Sequence, residues 1–161
     1  MVYQNKLCKV IGSIYVERKF FIQDHCGVSK IHQQHAGIAQ GCPLSPFLFI
    51  IVQSVMFEDI YNQVQLDADA PYIVTNEILY ADDTVLLSSS PTNCQRLLDE
   101  VVSEGAKYGL ELNWTKTYQM NVNSNETFFR YDGVAMEMKR SLLYLGGLIS
   151  CDGKSAIELR R

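Results

Sequence analysis

The chain has 161 residues, a net charge of −4, and 47% hydrophobic against 20% charged residues. This length suits one domain, and the apolar fraction excludes a disordered chain, which combines few apolar residues with a high net charge. The longest apolar stretch, Phe47–Val52, is far shorter than the roughly 20 residues of a membrane span. We therefore expect neither a membrane helix nor a signal peptide.

The charge is unevenly distributed, because residues 55–105 carry ten acidic residues against one arginine. A domain that binds nucleic acid unaided is usually basic on one face, so this acidic middle requires metal ions or a basic partner before a polyanion can approach. The five cysteines are widely spaced and contain no C-x-x-C pair. They argue against a disulfide framework and favour a reducing, intracellular location, either nucleus or cytoplasm.

The N-terminal part of the chain predicts a strand hairpin, a loop and then a helix. Residues 9–23 suggest the hairpin, through Tyr15-Val16 and Phe20–Ile22. Residues 37–43 form a loop punctuated by glycine and proline. Ser45-Pro46 then opens the helix, since serine caps a free N–H and proline has none to leave unpaired. A mostly apolar stripe with a 3.6-residue period extends it to about residue 62. The stripe comprises Phe47, Ile50, Ile51, Ser54, Val55 and Glu58.

The middle of the chain predicts a second hairpin and a second helix. Two strand-like runs, residues 76–81 and 84–88, flank Asp82-Asp83, which places carboxylates at the tip of a tight turn. In the helix, Thr92-x-x-Gln95 has the pattern of a capping box, and Gly109 supplies a left-handed stop. The buried stripe of this helix comprises Leu97, Leu98, Val101, Val102 and Gly105.

The C-terminal part predicts mostly extended structure. Residues 110–122 alternate, and Asp132-Gly133 has the signature of a type I′ turn between residues 128–131 and 134–138. Residues 142–149 form an apolar strand containing Gly146-Gly147, and residues 151–153 turn the chain into a short helix. Segregated helices and hairpins predict an α+β fold rather than a doubly wound α/β fold.

The adjacent carboxylates of Asp82 and Asp83 are the strongest chemical signal. Two such groups at a hairpin tip repel each other, and divalent cations offset that repulsion by binding oxygen ligands. Two Mg²⁺ ions can then assist phosphoryl transfer. Strand neighbours point to opposite faces, so the two aspartates need not do equal work. Alternatively, Asp-Asp is an ordinary solvated turn.

The segment from Gly37 to Pro46, GIAQGCPLSP, is the second signal. Its glycines allow the backbone to approach a ligand closely, and the Gln40 amide both donates and accepts hydrogen bonds. Taken by itself, the segment favours an ordinary loop and helix cap.

Taken together and in order, four segments resemble reverse transcriptases of the non-LTR retrotransposon (LINE-like) and group II intron branch. GIAQGCPLSPFLF is similar to the family's fingers–palm motif, and ILYADDTVLL is similar to its catalytic motif. GLELNWTKT resembles the G-x-x-x-N-x-x-K-T segment that follows, and SLLYLGGLISCDG resembles the primer-grip hairpin. The trailing IELRR matches the helix after it, so the resemblance covers nearly the whole chain and implies a polymerase palm fragment. That fragment would contain an antiparallel sheet, with a catalytic hairpin packed on two helices, and a C-terminal primer-grip hairpin.

The resemblance also implies roles for individual residues. Asp82 and Asp83 would hold the catalytic metals, two Mg²⁺ ions with Mn²⁺ as an alternative, and Lys116 would lie near the nucleotide phosphates. Asn113 would shape the loop that carries Lys116. Two further sets would contact the substrates: Gln40, Gly41 and Pro43 the incoming nucleotide and template base, and Tyr144, Leu145 and Gly146 the primer end. The implied partners are an RNA template, a DNA primer, dNTPs, and the fingers and thumb segments of a parent polyprotein.

The chain departs from the family pattern upstream of Gln40. The family places a third metal-binding aspartate on an earlier palm strand, and the acids available here, Glu17 and Asp24, sit in no matching motif. The fingers and thumb also lack counterparts, and Ala39 stands where many relatives carry a basic residue. We therefore expect residues 1–161 to be a partial reverse transcriptase domain that is inactive alone. Exposed apolar surface along the Phe47–Phe57 helix and poor solubility follow from the missing partners.

Several other interpretations remain open. A non-catalytic nucleic-acid-binding remnant, or a decayed open reading frame, fits the missing aspartate, whereas a metal-dependent nuclease leaves the Gln-Gly and Y-L-G segments unexplained. The C-x5-H-x2-H spacing is formed by Cys26, His32 and His35, and His25 is adjacent to it. A zinc site is disfavoured, because this spacing lacks a second cysteine pair. The alternative is that these histidines are ordinary surface residues.

Overall fold

A computed structural model describes residues 2–63 and 77–154, and the chain forms two compact units, Met1–Leu48 and Phe49–Arg161. The helices in the described residues are α1 (Val2–Tyr15), α2 (Ser45–Gln63) and α3 (Pro91–Lys107). The strands in the described residues pair two by two rather than forming one continuous sheet. The predicted C-terminal helix lies outside the described residues.

The strands of the first unit are β1 (Lys19–Phe20), β2 (Gln23–Asp24), β3 (Gly27–Val28) and β4 (His32–Gln33). Those of the second unit are β5 (Glu77–Tyr80), β6 (Asp83–Leu86), β7 (Tyr118–Gln119), β8 (Glu137–Met138), β9 (Ser141–Tyr144) and β10 (Gly147–Ser150). β7 pairs with β8 in parallel, and the other four pairs are antiparallel. Mixed helices and small antiparallel pairs agree with the expected α+β class. No helix of the described chain is long and apolar enough to cross a membrane.

The prediction of a strand hairpin through Tyr15-Val16 is wrong, because α1 continues to Tyr15. Ile11 and Tyr15 are half-buried and lie four residues apart, which is the spacing of one helical face. The β-branched residues around them favoured a strand, but the spacing of the half-buried residues is that of a helix. β1 pairs instead with β4, so Phe20 faces His32 across the ladder.

The helix starts differ from the predictions in their capping contacts. The Ser45 hydroxyl donates to the Ala39 carbonyl at 2.7 Å, so it ties the preceding loop to the first turn of α2. Ser90, rather than Thr92, caps α3 and accepts a hydrogen bond from the Asn93 N–H at 3.3 Å. Pro91 follows as the first helical residue, where its missing N–H costs nothing.

The predicted stop of α3 at Gly109 is confirmed in detail. Gly109 has φ +70°, the Leu110 N–H bonds to the Gly105 carbonyl at 2.8 Å, and the Gly109 N–H bonds to the Ala106 carbonyl at 3.1 Å. This pair of bonds is the Schellman arrangement that satisfies the last carbonyls of a helix.

We expect Gly109→Ala to lower the free energy of unfolding by about 1 kcal/mol, because alanine is strained at positive φ. No atom lies within 4 Å of the added methyl group, so the loss reports backbone conformation alone. Gly109→Asn is the matched control, since asparagine tolerates the left-handed region and should lose less. Urea unfolding of the three proteins measures the difference; equal losses for both variants would contradict it.

The core of the second unit forms where α2 and α3 pack against the β5–β6 hairpin. Its buried apolar residues are Met56, Phe57, Ile60, Leu97 and Val101, with Leu79 and Leu86 of the hairpin packed against them. The apolar stripe predicted for α2 instead includes exposed residues: Phe47, Ile50, Ile51 and Val55. The expected exposed apolar surface along this helix is thereby confirmed.

One charged group lies within this packing. Glu104 is buried on α3 and accepts hydrogen bonds from the Lys107 ammonium and, at 2.9 Å, from the Gln63 side-chain amide. The Lys107 hydrogen bond holds the pKa of the Glu104 carboxyl below its ordinary value. The ionised form is therefore favoured by the folded state.

We expect Glu104→Gln to flatten the acid limb of the stability curve. A carboxyl with a lowered pKa contributes stability above its unfolded pKa, near pH 4.5, and this contribution is lost as the pH falls through the folded value. Urea midpoints between roughly pH 3 and pH 7 measure the slope. Glu58→Gln, an exposed residue of α2, is the matched control. An unchanged acid slope in Glu104→Gln would contradict the assignment.

The C-terminal hairpins differ from the predictions in their turns. The Arg130 carbonyl accepts the Gly133 N–H at 2.9 Å, and only Gly133 of that turn has positive φ, at +77°. The turn is therefore a three-residue loop ending in a left-handed glycine, not a two-residue type I′ turn. The apolar strand predicted over residues 142–149 is a hairpin, in which β9 and β10 pair around Leu145-Gly146.

Candidate active site

The β5–β6 hairpin carries the predicted catalytic aspartates, with a turn shifted by one residue. Tyr80 pairs with Asp83, so the two turn residues are Ala81 and Asp82, not Asp82 and Asp83. Ala81 has φ +48°, a conformation that is uncommon for a residue with a Cβ. Asp82 thus lies in the turn, and Asp83 is the first residue of β6.

The two faces of this hairpin have different surroundings. Cross-strand partners share a face, so Leu79 lies with Thr84, and Leu86 lies on that same face against the core. Tyr80 and Asp83 occupy the opposite face, where both are exposed. The tyrosine ring, 60% exposed, is therefore available beside the Asp83 carboxylate. A turn at Asp82-Asp83 would instead pair Tyr80 with Val85, so the position of Tyr80 beside Asp83 depends on the observed register.

Glu77 anchors the base of the hairpin to α2. The Tyr61 hydroxyl donates a hydrogen bond to the Glu77 carboxylate, and burial raises the pKa of that carboxyl. The tip, in contrast, is solvated, because Ala81, Asp82 and Asp83 are all exposed. The hairpin is thus held at its base and by Leu79 and Leu86, while its acidic end projects into solvent.

The tip fits a divalent cation by the chemistry of its donors. Asp82 and Asp83 supply carboxylate oxygens, the ligands that Mg²⁺ takes from proteins together with several waters. Neither aspartate takes part in an ion pair within the described residues. Both carboxylates are therefore available to a metal ion.

Lys116 lies on a loop that Asn113 organises. The Asn113 side-chain oxygen accepts the Thr115 N–H at 3.2 Å and the Thr115 hydroxyl at 2.7 Å, while its carbonyl accepts the Lys116 N–H at 2.9 Å. The Lys116 side chain is exposed. Among the described residues, Lys116 forms no ion pair with Asp82 or Asp83.

Gln40, Gly41 and Pro43 belong to the first unit and are exposed on the loop before α2. Gly41 has φ +81°, which explains the glycine at this position. The Leu44 N–H, at the start of α2, lowers the pKa of the Cys42 thiol. The loop therefore presents the exposed Gln40 side chain, while the backbone at its end favours the thiolate form of Cys42.

The predicted primer-contacting residues form the tip of the β9–β10 hairpin. Leu145 and Gly146 have φ +49° and +83°, so both turn residues are left-handed. Leu145 is exposed, whereas the Tyr144 hydroxyl is buried without a hydrogen-bond partner in the described residues. The structure brings these three residues together on one turn and places them in the same unit as Asp82.

Comparison with known proteins places these motifs in one family. A family model described as reverse transcriptase (RNA-dependent DNA polymerase) matches residues 3–149. The chain belongs to the reverse transcriptase family. The chain is also similar to the retrovirus-related Pol polyprotein from type-2 retrotransposable element R2DM of Drosophila melanogaster, with 31% identity over 86 residues. It covers 53% of this chain and 8% of that polyprotein.

These matches confirm the predicted family and support its retrotransposon, non-LTR branch. Reverse transcriptases use divalent metal ions, and a reverse transcriptase domain implies a nucleic-acid template and primer. The exposed Asp82 and Asp83 at the tip of the β5–β6 hairpin offer carboxylate oxygens of the kind that such an ion binds.

Proposed function

We propose that this chain is the palm part of an RNA-directed DNA polymerase encoded by a non-LTR retroelement. In the complete enzyme, the 3′ hydroxyl of a DNA primer on an RNA template attacks the α-phosphate of a dNTP. We infer that the chain is a partial domain and is inactive by itself, because neither acid before Gln40, Glu17 or Asp24, lies in a motif like the family's first aspartate motif. Its five thiols, all free, support action in a reducing compartment, the nucleus or the cytoplasm.

The residues have distinct roles in this proposal. Asp82 and Asp83 hold the divalent ions, two Mg²⁺ or Mn²⁺, which supply charge stabilisation to phosphoryl transfer. Lys116 offers a positive charge to the nucleotide phosphates from the Asn113 loop. Contacts to the substrates come from two other sets: Gln40, Gly41 and Pro43 for the nucleotide and template base, and Tyr144, Leu145 and Gly146 for the primer end.

The observation that carries the proposal is the exposed pair of carboxylates on a hairpin whose other face is packed against α2 and α3. Leu79 and Leu86 fix the hairpin to the core, so the position of Asp82 is determined by buried contacts rather than by a mobile loop. A solvated turn without function would gain nothing from two adjacent negative charges and a left-handed Ala81.

Metal-dependent primer extension by the full-length parent tests the proposal. The wild-type parent should copy an RNA template in Mg²⁺ or Mn²⁺, and Asp82→Asn and Asp83→Asn should reduce that activity. Unchanged extension in both variants would reject the assigned role. Salt-dependent binding to an RNA–DNA duplex by the parent, with no extension in either metal, would instead favour a non-catalytic nucleic-acid-binding remnant.

A further inference from the structure

The β2–β3 hairpin of the first unit is tied together at both its base and its turn. Asp24 pairs with Gly27, which leaves His25 and Cys26 as the two turn residues. Oδ1 of Asp24 accepts the Cys26 N–H at 2.8 Å and the Gly27 N–H at 3.1 Å. At the base, the Ser29 N–H donates to the Ile22 carbonyl at 2.8 Å. The backbone around the turn is therefore well defined by hydrogen bonds.

This turn brings three different metal-ligating side chains together. A carboxylate oxygen of Asp24, a ring nitrogen of His25 and the Cys26 sulfur all lie within 4.8 Å of one another, and all three residues are exposed. No other group of three such donors is this close within the described parts of the chain. Zinc bound at roughly 2.0–2.3 Å needs ligand atoms about 3.5 Å apart in a tetrahedron. Because the three side chains are exposed, they can rotate to bring their ligand atoms from separations of up to 4.8 Å to this distance.

We propose that Asp24, His25 and Cys26 form a binding site for a thiophilic divalent cation, with Zn²⁺ as the ion that fits best. Thiolate and imidazole select zinc over magnesium, which takes oxygen ligands. Three protein ligands leave the fourth tetrahedral position to water, so the site is open. It is separate from the acidic tip of the β5–β6 hairpin in both sequence and donor type.

The ligand set differs from the one that the sequence spacing suggested. His32 lies on β4, and its ring stacks on Phe20 with centroids 5.5 Å apart. The donor that completes the cluster is Asp24, whose contribution depends on the hairpin and has no signature in cysteine and histidine spacing. Consecutive residues can act as joint ligands here because a tight turn directs neighbouring side chains to the same end of a hairpin.

Metal titration of the reduced chain tests this site. Competition with a chromophoric zinc chelator should give one equivalent of tight binding, and Cd²⁺ should produce the ultraviolet thiolate-to-metal charge-transfer band, which carboxylates alone cannot give. Cys26→Ser should abolish that band and weaken zinc binding at least about tenfold. His25→Ala should weaken it to a similar extent.

Asp24→Asn is the sharpest variant, because the asparagine oxygen can still accept the two backbone N–H groups while the negative ligand charge is lost. It should keep the fold, judged by circular dichroism, and lower zinc affinity severalfold. Cys8→Ser and His35→Ala remove an exposed thiol and an exposed imidazole outside the turn and should leave binding unchanged. Absence of stoichiometric zinc binding, or retention of the charge-transfer band in Cys26→Ser, would overturn the proposal.

Discussion

Asp82→Asn in the full-length parent is expected to lower the rate of primer extension at least about 100-fold. A metal ion stabilises transition-state charge by several kcal/mol, and each 1.4 kcal/mol lost is about a factor of ten in rate. Asparagine has nearly the same shape as aspartate but no negative charge, so it weakens metal binding without altering the turn. Because Asp82 is exposed and outside the core, folding should not change.

Asp83→Asn is expected to have a smaller effect, about tenfold. Asp83 belongs to β6 and lies on the face that carries Tyr80, whereas Asp82 lies in the turn itself. The two carboxylates therefore have different surroundings, and their contributions to metal binding should differ. Glu58→Gln is the matched control, since it neutralises an exposed carboxylate of α2 in the same unit and should leave the rate unchanged.

Single-turnover extension at several Mg²⁺ concentrations separates metal binding from other defects. If Asp82 holds the metal, its variant should regain part of the lost rate as Mg²⁺ is raised, and the Glu58→Gln control should show the same Mg²⁺ dependence as the parent. An extension rate for Asp82→Asn within a factor of two of the parent, at limiting Mg²⁺, would contradict the role.

The β5–β6 hairpin shows how far alternation along a sequence can predict a structure. A turn at Asp82-Asp83 and the observed turn at Ala81-Asp82 both leave Leu79 and Leu86 on one face of the hairpin. The apolar pattern therefore determines which face is buried but does not determine the register. The register was missed because alanine rarely adopts positive φ, so Ala81 gives no turn signal.

Helix boundaries and clusters of side chains likewise include some features that the local sequence determines and others that only the fold determines. The stop at Gly109 was predictable because a left-handed residue is required there and glycine supplies it. The cap of α3 was not, since Ser90 and Thr92 both suit a cap and only the fold selects Ser90. The Asp24 cluster was also missed, because it depends on a turn that brings neighbouring donors together.

The buried face of α2 was harder to predict, because this helix is apolar on more than one side. Ile50 and Ile60 are the same residue type on the same helix, yet Ile60 is 0% exposed and Ile50 is 54% exposed. Tertiary packing, not helical periodicity, distinguishes them. The residues on the inner side lie at the i, i+3, i+4, i+7 positions that start from Gln53, which is itself buried.

Ile60→Ala is accordingly expected to lower the free energy of unfolding by about 2–5 kcal/mol. Ile60 contributes to the cluster that joins α2, α3 and the β5–β6 hairpin, and few other residues of the described chain are fully buried. Native domains are stable by only about 5–15 kcal/mol, so this loss removes a large part of the total. Urea unfolding followed by circular dichroism measures it.

Ile50→Ala provides the matched control for that loss. It removes the same atoms from the same helix at an exposed position, so its effect should stay within about 0.5 kcal/mol. The comparison isolates burial from helix propensity, which is identical in the two substitutions. Equal destabilisation by the two variants would mean that the Ile60 side is not the core, and the Leu79 and Leu86 contacts that fix the β5–β6 hairpin would then lose their physical basis.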